Sequence, residues 1–211
     1  MTTLESPKGI LLVVSGAAGT GKGTVNAILM KEHDDFVFSV SATTRAPRPG
    51  EIDGREYHFL TREQFEEKIR EGGVIEYTEY CGNYYGTLKS ELSKLDQGKN
   101  LILEIEVEGA MNIKRLFPDS VTVFILPPDA VALRSRLVNR GTNTAEDIER
   151  RMRRAMEEFS LVGHYDYAVV NHDGKAKEAA DAIYEIVKSE QHKANRAEDA
   201  MKRLFFGNHT I

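Results

Sequence analysis

The sequence predicts an α/β fold, a parallel sheet flanked by helices with a smaller β-rich insertion, on three observations. First, short apolar, β-branched runs recur at Ile10–Ser15, Phe36–Val40, Leu101–Ile105, Val121–Leu126 and Ala168–Val170. Runs of this kind, apolar on both faces, belong to strands covered on both sides. Second, helical patterns separate them, which favours parallel crossovers. Third, the first run leads straight into a glycine-rich segment, Gly16-Ala17-Ala18-Gly19-Thr20-Gly21-Lys22-Gly23-Thr24.

That segment is nearly a Walker A loop, G-x4-G-K-[ST], with Gly23 in the final Ser/Thr position. Successive N–H groups of such a turn, with the positive end of the following helix, make a concave anion site. Lys22 adds a mobile cation. The missing hydroxyl normally ligates Mg²⁺, so no direct protein ligand for a metal is expected; Glu104, at a strand end, is a candidate through water.

The remaining elements follow in order. Helical patterns cover Lys22–Lys31, Gly109–Phe117, Ala130–Asn139, Ala145–Val162 and Lys175–Glu190. Thr144 and Asp147 are spaced for an N-cap, and Gly141 is placed to end the preceding helix. Between Ser41 and Gly98 the texture changes. Pro47, Pro49 and Gly50 mark a turn, while Tyr57–Leu60 and Val74–Tyr80 read as strands with exposed aromatic and polar positions. Thr61 and Gln64 form a capping-box pattern for a helix that Gly72-Gly73 stops. This stretch reads as a mixed β subdomain over the carboxyl edge of the main sheet, where open α/β sheets bind ligands. Seven arginines between Arg134 and Arg154 read as a mobile lid opposite the phosphate loop.

Three further groups carry chemistry. Arg45 and Arg48, three residues apart on the irregular segment Ser41–Gly50, suit a phosphate dianion. Glu76, on the strand before the Gly82-Asn83-Tyr84-Tyr85-Gly86-Thr87 turn, joins hydroxyls that could read a hydrogen-bonding base. Glu104 and Glu106 close the Leu101–Ile105 run in a Walker B-like way.

With 211 residues and 41% hydrophobic content, the chain can bury one substantial core with room for an insertion. A net charge of −5 without a long basic block speaks against a general nucleic-acid surface. The single cysteine, Cys81, excludes an internal disulfide framework and fits a reducing compartment. No apolar run approaches the roughly 20 residues that span a bilayer, and the first residues lack a signal-peptide layout. A soluble cytoplasmic protein, with no membrane or nucleic-acid partner, is expected. The oligomeric state is left open.

With these residues in view, the chain resembles the guanylate kinase family over Gly9 to Lys188. The motifs SxTTRxPRxGE, GNYYGT, LEIExEGA, FILPP and RGT…RRM occur in the family's order. The resemblance implies one domain over residues 1–211: a P-loop core (9–40 and 99–190), a GMP-binding subdomain (41–98), a helical lid region (134–154) and a C-terminal tail (191–211). It implies that Gly16 to Thr24 cradle ATP phosphates. Ser41, Arg45, Arg48, Tyr57 and Tyr85 would hold the GMP phosphate. Glu76 and Thr87 would read guanine, with Glu106 beside them. Lys22, Arg45, Arg136, Arg140 and Arg151 would serve catalysis. Departures from the family pattern are Ala17-Ala18 for Pro-Ser, Gly23 for Ser, Glu104 and Glu106 for aspartates, and Glu108 for glutamine. The implied activity is phosphoryl transfer from Mg-ATP to GMP, with dGMP not distinguished. The competing reading is a protein-binding module of the same fold without catalysis, against which Lys22 and the lid arginines count.

Overall fold

The computed structural model describes residues 9–139 and 144–196. In chain order the elements are β1 (Leu11–Ser15), α1 (Lys22–Glu32), β2 (Phe36–Phe38), β3 (Ser41–Thr43), β4 (His58–Phe59), α2 (Arg62–Arg70), β5 (Val74–Tyr80), β6 (Asn83–Leu88), α3 (Ser93–Asp96), β7 (Asn100–Glu104), α4 (Val107–Leu116), β8 (Val121–Leu126), α5 (Ala130–Asn139), α6 (Ala145–Phe159), β9 (Tyr167–Val170) and α7 (Ala176–Gln191).

Among the described residues, five strands form a parallel sheet in the order β2-β7-β1-β8-β9. The central strand β1 is buried along its whole length. Its alternate residues serve two separate cores, as a period of two requires. Leu12 and Val14 pack with Val25 and Leu29 of α1 and Ile183 and Val187 of α7. Leu11 and Val13 pack on the other face with Val107, Ala110 and Ile113 of α4. Each Val, Leu or Ile among them contributes about 1.5–3 kcal/mol on full burial. The two sheet faces therefore fix where the carboxyl ends of β1 and β7 stand.

The second sheet, β4-β3-β6-β5, is mixed: β3 runs parallel to β4 and antiparallel to β6, which is antiparallel to β5. Its apolar cluster is small, with Ala42, Phe65 and Leu88 buried at its centre. The capping box of α2 is present, Thr61 accepting from the Gln64 N–H and Gln64 accepting from the Thr61 N–H. The same device starts α6, from Thr144 and Asp147.

Three expectations are corrected here. From Asn83 on, the GNYYGT segment is the strand β6, and the turn is confined to Cys81-Gly82, where both residues have positive φ. Gly86 reads as a turn residue but is a strand glycine: a Cβ there would come within 2.5 Å of the Glu76 carbonyl oxygen and 3.1 Å of Phe65. The Ser41–Gly50 segment is not irregular throughout, because Ser41–Thr43 pairs with β6 as β3. Helix α6 is also shorter than expected, ending at Phe159 before a single 3-10 turn at Val162–His164. Gly141 and the tail beyond Arg196 lie outside the described residues.

Candidate active site

The phosphate loop joins β1 to α1, and its glycines are fixed by neighbours. Gly16 has φ 147°, and a Cβ on it would lie 2.5 Å from the Ile125 carbonyl oxygen of β8. Gly21 has φ 90° and leaves 2.5 Å to the amide nitrogen of Asn171. No L side chain meets both demands. Ala17 packs with Leu133, Leu137 and Ile148, so the loop rests on the base of α5 and α6. Thr20 closes it locally, its hydroxyl donating to the Ala17 carbonyl at 2.9 Å. No side chain caps α1, and its first turn holds no acidic residue. The N-terminal N–H groups therefore keep their affinity for an anion. Lys22 arches back, its ammonium donating to the carbonyls of Gly16 and Ala17. Gly23 and Thr24 are exposed.

On the other sheet, cross-strand pairing sorts the residues by face. Ser41 stands opposite Thr87, Thr43 opposite Tyr85, and Glu76 opposite Thr87. Directly opposed residues share a face, so Ser41, Tyr85, Thr87 and Glu76 lie together. The opposite face carries Ala42, Tyr84 and Leu88, under Phe65 of α2. Thr87 is buried, and its hydroxyl donates to Glu76 Oε1 at 2.6 Å. The second carboxylate oxygen of Glu76 lies 3.2 Å from where a Cβ on Gly109, in the first turn of α4, would stand. Burial raises the pKa of Glu76, and the bonds from Thr87 only partly offset this.

Arg45 follows β3. Its Nη2 donates to both oxygens of Glu51 at 2.9 Å, and its Nη1 to the Ala46 carbonyl at 2.7 Å. The guanidinium carbon is 5.5 Å from the Tyr57 ring centroid, and Tyr57 meets Tyr85 edge to face at 6.1 Å. Arg45, Tyr57 and Tyr85 are thus brought together. Arg48 is exposed, and its backbone N–H donates to Glu51 Oε2 at 2.7 Å. That bond, then the pairing with Arg45, holds the Glu51 carboxyl below the usual range.

Arg136 is the arginine of α5 that reaches the phosphate loop. It donates to the Thr20 carbonyl at 3.3 Å, to the Asn171 carbonyl at 2.7 Å and to Asp173 at 2.6 Å. Arg151 is half-buried on α6, and its Nε has no partner among the described residues. Arg134 and Arg150 pair with Glu149 and Asp147. Arg140 lies outside the described residues. Glu104 ends β7 beside β1, in register with Val14, and accepts from Asn26 at 2.9 Å. Glu106 stands at the N-cap position of α4 and is paired with Arg154.

A family model described as "Guanylate kinase" matches residues 8–190. The chain belongs to the guanylate kinase family. A guanylate kinase of Lactococcus lactis is 50% identical over 190 residues, covering 90% of this chain and 92% of that protein. One from Halalkalibacterium halodurans is 48% identical over 194 residues, 92% of this chain and 94% of that protein. A crystal structure of guanylate kinase from Anaplasma phagocytophilum superposes with a TM-score of 0.71 at 32% identity, over 97% of this chain and 99% of that one.

Three supporting residues escape the sequence reading. Glu51 is the last residue of the family motif SxTTRxPRxGE; two neighbouring arginines needing a counter-charge are the local signal for it. Glu91 is buried between the two sheets. It accepts from the Val40 N–H at 2.7 Å and from Lys94 at 2.6 Å, and it meets His58 at 3.3 Å. Burial alone would raise its pKa, but the bonds from Lys94, Val40 and His58 outweigh it and lower the pKa. Asn171 is buried after β9 and donates to the Thr20 carbonyl at 2.8 Å. These contacts span 51 residues for Glu91 and Val40, and 151 for Asn171 and Thr20. No local pattern announces them.

Proposed function

We infer that the protein is an ATP:GMP phosphotransferase, moving the γ-phosphoryl group of ATP onto GMP to give ADP and GDP. Membership of the guanylate kinase family supports the reaction class. The observation that carries the acceptor is the Glu76–Thr87 pair, half-buried against the first turn of α4.

The base chemistry follows from that pair. Guanine offers N1–H and a 2-amino group as donors and O6 as an acceptor. A carboxylate accepts from both donors, whereas adenine would set an acceptor, N1, against it. The Thr87 hydroxyl has one proton, and without a base it goes to Glu76. When guanine brings two protons to the carboxylate, that hydroxyl is released to donate to O6. Thr87 thus satisfies a half-buried carboxylate in the absence of substrate, and an adenine-like ligand leaves these groups unpaired.

Residues 41–98 form the acceptor subdomain in this reading, and residues 134–154 the lid region. Ser41, Arg45, Arg48, Tyr57 and Tyr85 hold the acceptor phosphate. Gly16 to Thr24 hold the donor phosphates, and Lys22, Arg136, Arg140 and Arg151 stabilise charge on the transferring group. A phosphate monoester has a second pKa of about 6 and is largely ionised at neutral pH, so no general base is required. The protein brings two anions into line and offsets their repulsion. Among the described residues no group of three or more His, Cys, Asp or Glu could hold a metal ion. The residues nonetheless fit Mg²⁺ carried on ATP: Glu104 stands beside the loop, and Asn26 next to it leaves a buried oxygen for water. Bound there, Mg²⁺ would neutralise phosphate charge, with Glu104 reaching it through water. No helix among the described residues is long and apolar enough to cross a membrane.

Titration calorimetry with GMP, IMP and AMP tests the acceptor. IMP keeps N1–H and O6 but lacks the 2-amino group. The expected order of affinity is GMP, then IMP, then AMP; equal affinity for all three would remove the Glu76–Thr87 reading.

A further inference from the structure

Asn26 lies three residues after Gly23 on α1 and so shares its side of the helix. Its neighbours Val25 and Leu29 are core apolar residues, yet Asn26 is itself fully buried. Its amide nitrogen donates to Glu104 Oε2 at 2.9 Å, linking the phosphate-loop helix to the end of β7. Its Oδ1 has no partner among the described residues. A buried polar atom left in this way is costly unless something absent from the protein chain completes it, such as an ordered water or an ion's hydration shell. Beside it the loop is open, since a Cβ on Gly23 would meet nothing within 4 Å. The Walker A hydroxyl that ligates Mg²⁺ would stand on that residue.

We propose that Asn26 is a positioning residue for the metal site: it fixes the Glu104 carboxylate, and its Oδ1 accepts from the water held there. Together the pair supplies, from the neighbouring turn and strand, the contact that a hydroxyl at position 23 would make. The proposal rests on the reading of Gly16 to Thr24 as the ATP-phosphate loop. The geometry suits an outer-shell role. A carboxylate that receives an amide N–H is held in orientation, and partners of this kind typically change metal affinity by about 10–100-fold when removed. The buried amide also accounts for a polar residue at a helix position where the adjoining positions are apolar.

The test uses the whole protein, a non-hydrolysable ATP analogue, and Mn²⁺ as a paramagnetic stand-in for Mg²⁺. With protein in excess over analogue, electron paramagnetic resonance gives the Mn²⁺ dissociation constant of the ternary complex. Calorimetry in EDTA gives the affinity for the analogue alone. Asn26→Leu and Glu104→Gln are each expected to weaken Mn²⁺ about tenfold, with the analogue's affinity in EDTA unchanged. The losses in the double variant should be less than additive, because Asn26 acts in part through Glu104. Adding Gly23→Ser to Asn26→Leu should restore most of the loss. Unchanged Mn²⁺ affinity in Asn26→Leu, or fully additive losses in the double variant, would overturn the proposal. Should Asn26→Leu fail to fold, the exposed Glu104→Gln carries the test, and unchanged Mn²⁺ affinity in it overturns the proposal equally. Failure of the unaltered protein to bind the analogue in EDTA would instead remove the phosphate-loop reading.

Discussion

The two sheets of this molecule hold their binding groups by different means. Around the phosphate loop the fixing force is packing: β1 is buried throughout, and Gly16 and Gly21 are pressed against Ile125 and Asn171. The smaller sheet has only a short apolar centre at Ala42, Phe65 and Leu88. Its groups are placed by charge. Glu51 orients Arg45 and the Arg48 backbone, and Glu91 ties the Val40 N–H, Lys94 and His58. Arg62 lies 4.4 Å over the Tyr84 ring and donates to its hydroxyl at 2.9 Å. Apolar packing carries no charge for salt to screen or pH to titrate, whereas partly exposed ion pairs do. The donor half is therefore the rigid reference, and the acceptor half is the part that conditions can tune.

The largest effect expected is on the donor side. Lys22→Ala should lower kcat by about 10³-fold and leave GMP affinity by calorimetry unchanged. A matching loss of GMP affinity would break the division into two halves. Next, Glu76→Gln should reduce the preference for GMP over AMP by about 10²-fold, read as the ratio of kcat/KM values. The raised pKa of Glu76 adds a pH signature. As pH falls through that raised value the carboxyl gains a proton and can no longer accept from both guanine donors. Guanosine, which has no phosphate to titrate, should lose affinity at a higher pH than an ordinary carboxylate would impose; a flat profile down to pH 4 would contradict this.

Third, Glu91→Gln should destabilise the protein by about 2 kcal/mol at pH 7, since Lys94 and the Val40 N–H lose a charged acceptor. The folded pKa of Glu91 lies below its ordinary 4.5. Its stabilisation is therefore present above that value and lost as pH falls through the folded pKa. Urea melts of both proteins should converge in acid; a constant gap across pH would show that packing, not charge, is what the carboxylate supplies. Smallest is Thr61→Ala, which removes the α2 capping box and should cost about 1 kcal/mol. Hydrogen exchange should show the loss confined to the acceptor half.

The same contrast governs what could be read in the sequence. Val121–Leu126 is both expected and observed as a strand, because a run buried on both faces is a local signal. The capping boxes at Thr61 and Thr144 are equally local. In the smaller sheet the signals fade. Three residues of β3 and two of β4 sit among prolines, glycines and charges, too short to show a period. Gly86 misleads because its reason, the close approach of the Glu76 carbonyl and Tyr77 on the paired strand, shows only once β5 and β6 are brought together. In the site, the family motifs point to Arg45, Tyr57, Tyr85, Glu76 and Thr87, which share one side of that sheet or its margin. Glu106, also in those motifs, stands at the start of α4 and pairs with Arg154. Glu51 has a local signal in Arg45 and Arg48, but Glu91 and Asn26 act on groups distant in sequence, and only those partners in space reveal them.

The central claim is that this chain phosphorylates GMP and discriminates by its base. Purified protein given Mg-ATP with GMP, AMP, CMP or UMP in parallel, following ADP formation, tests it most directly. Turnover with GMP at least about 10²-fold above the other three is the predicted result. Comparable turnover with AMP, or none with any acceptor in protein shown to be folded, would contradict it.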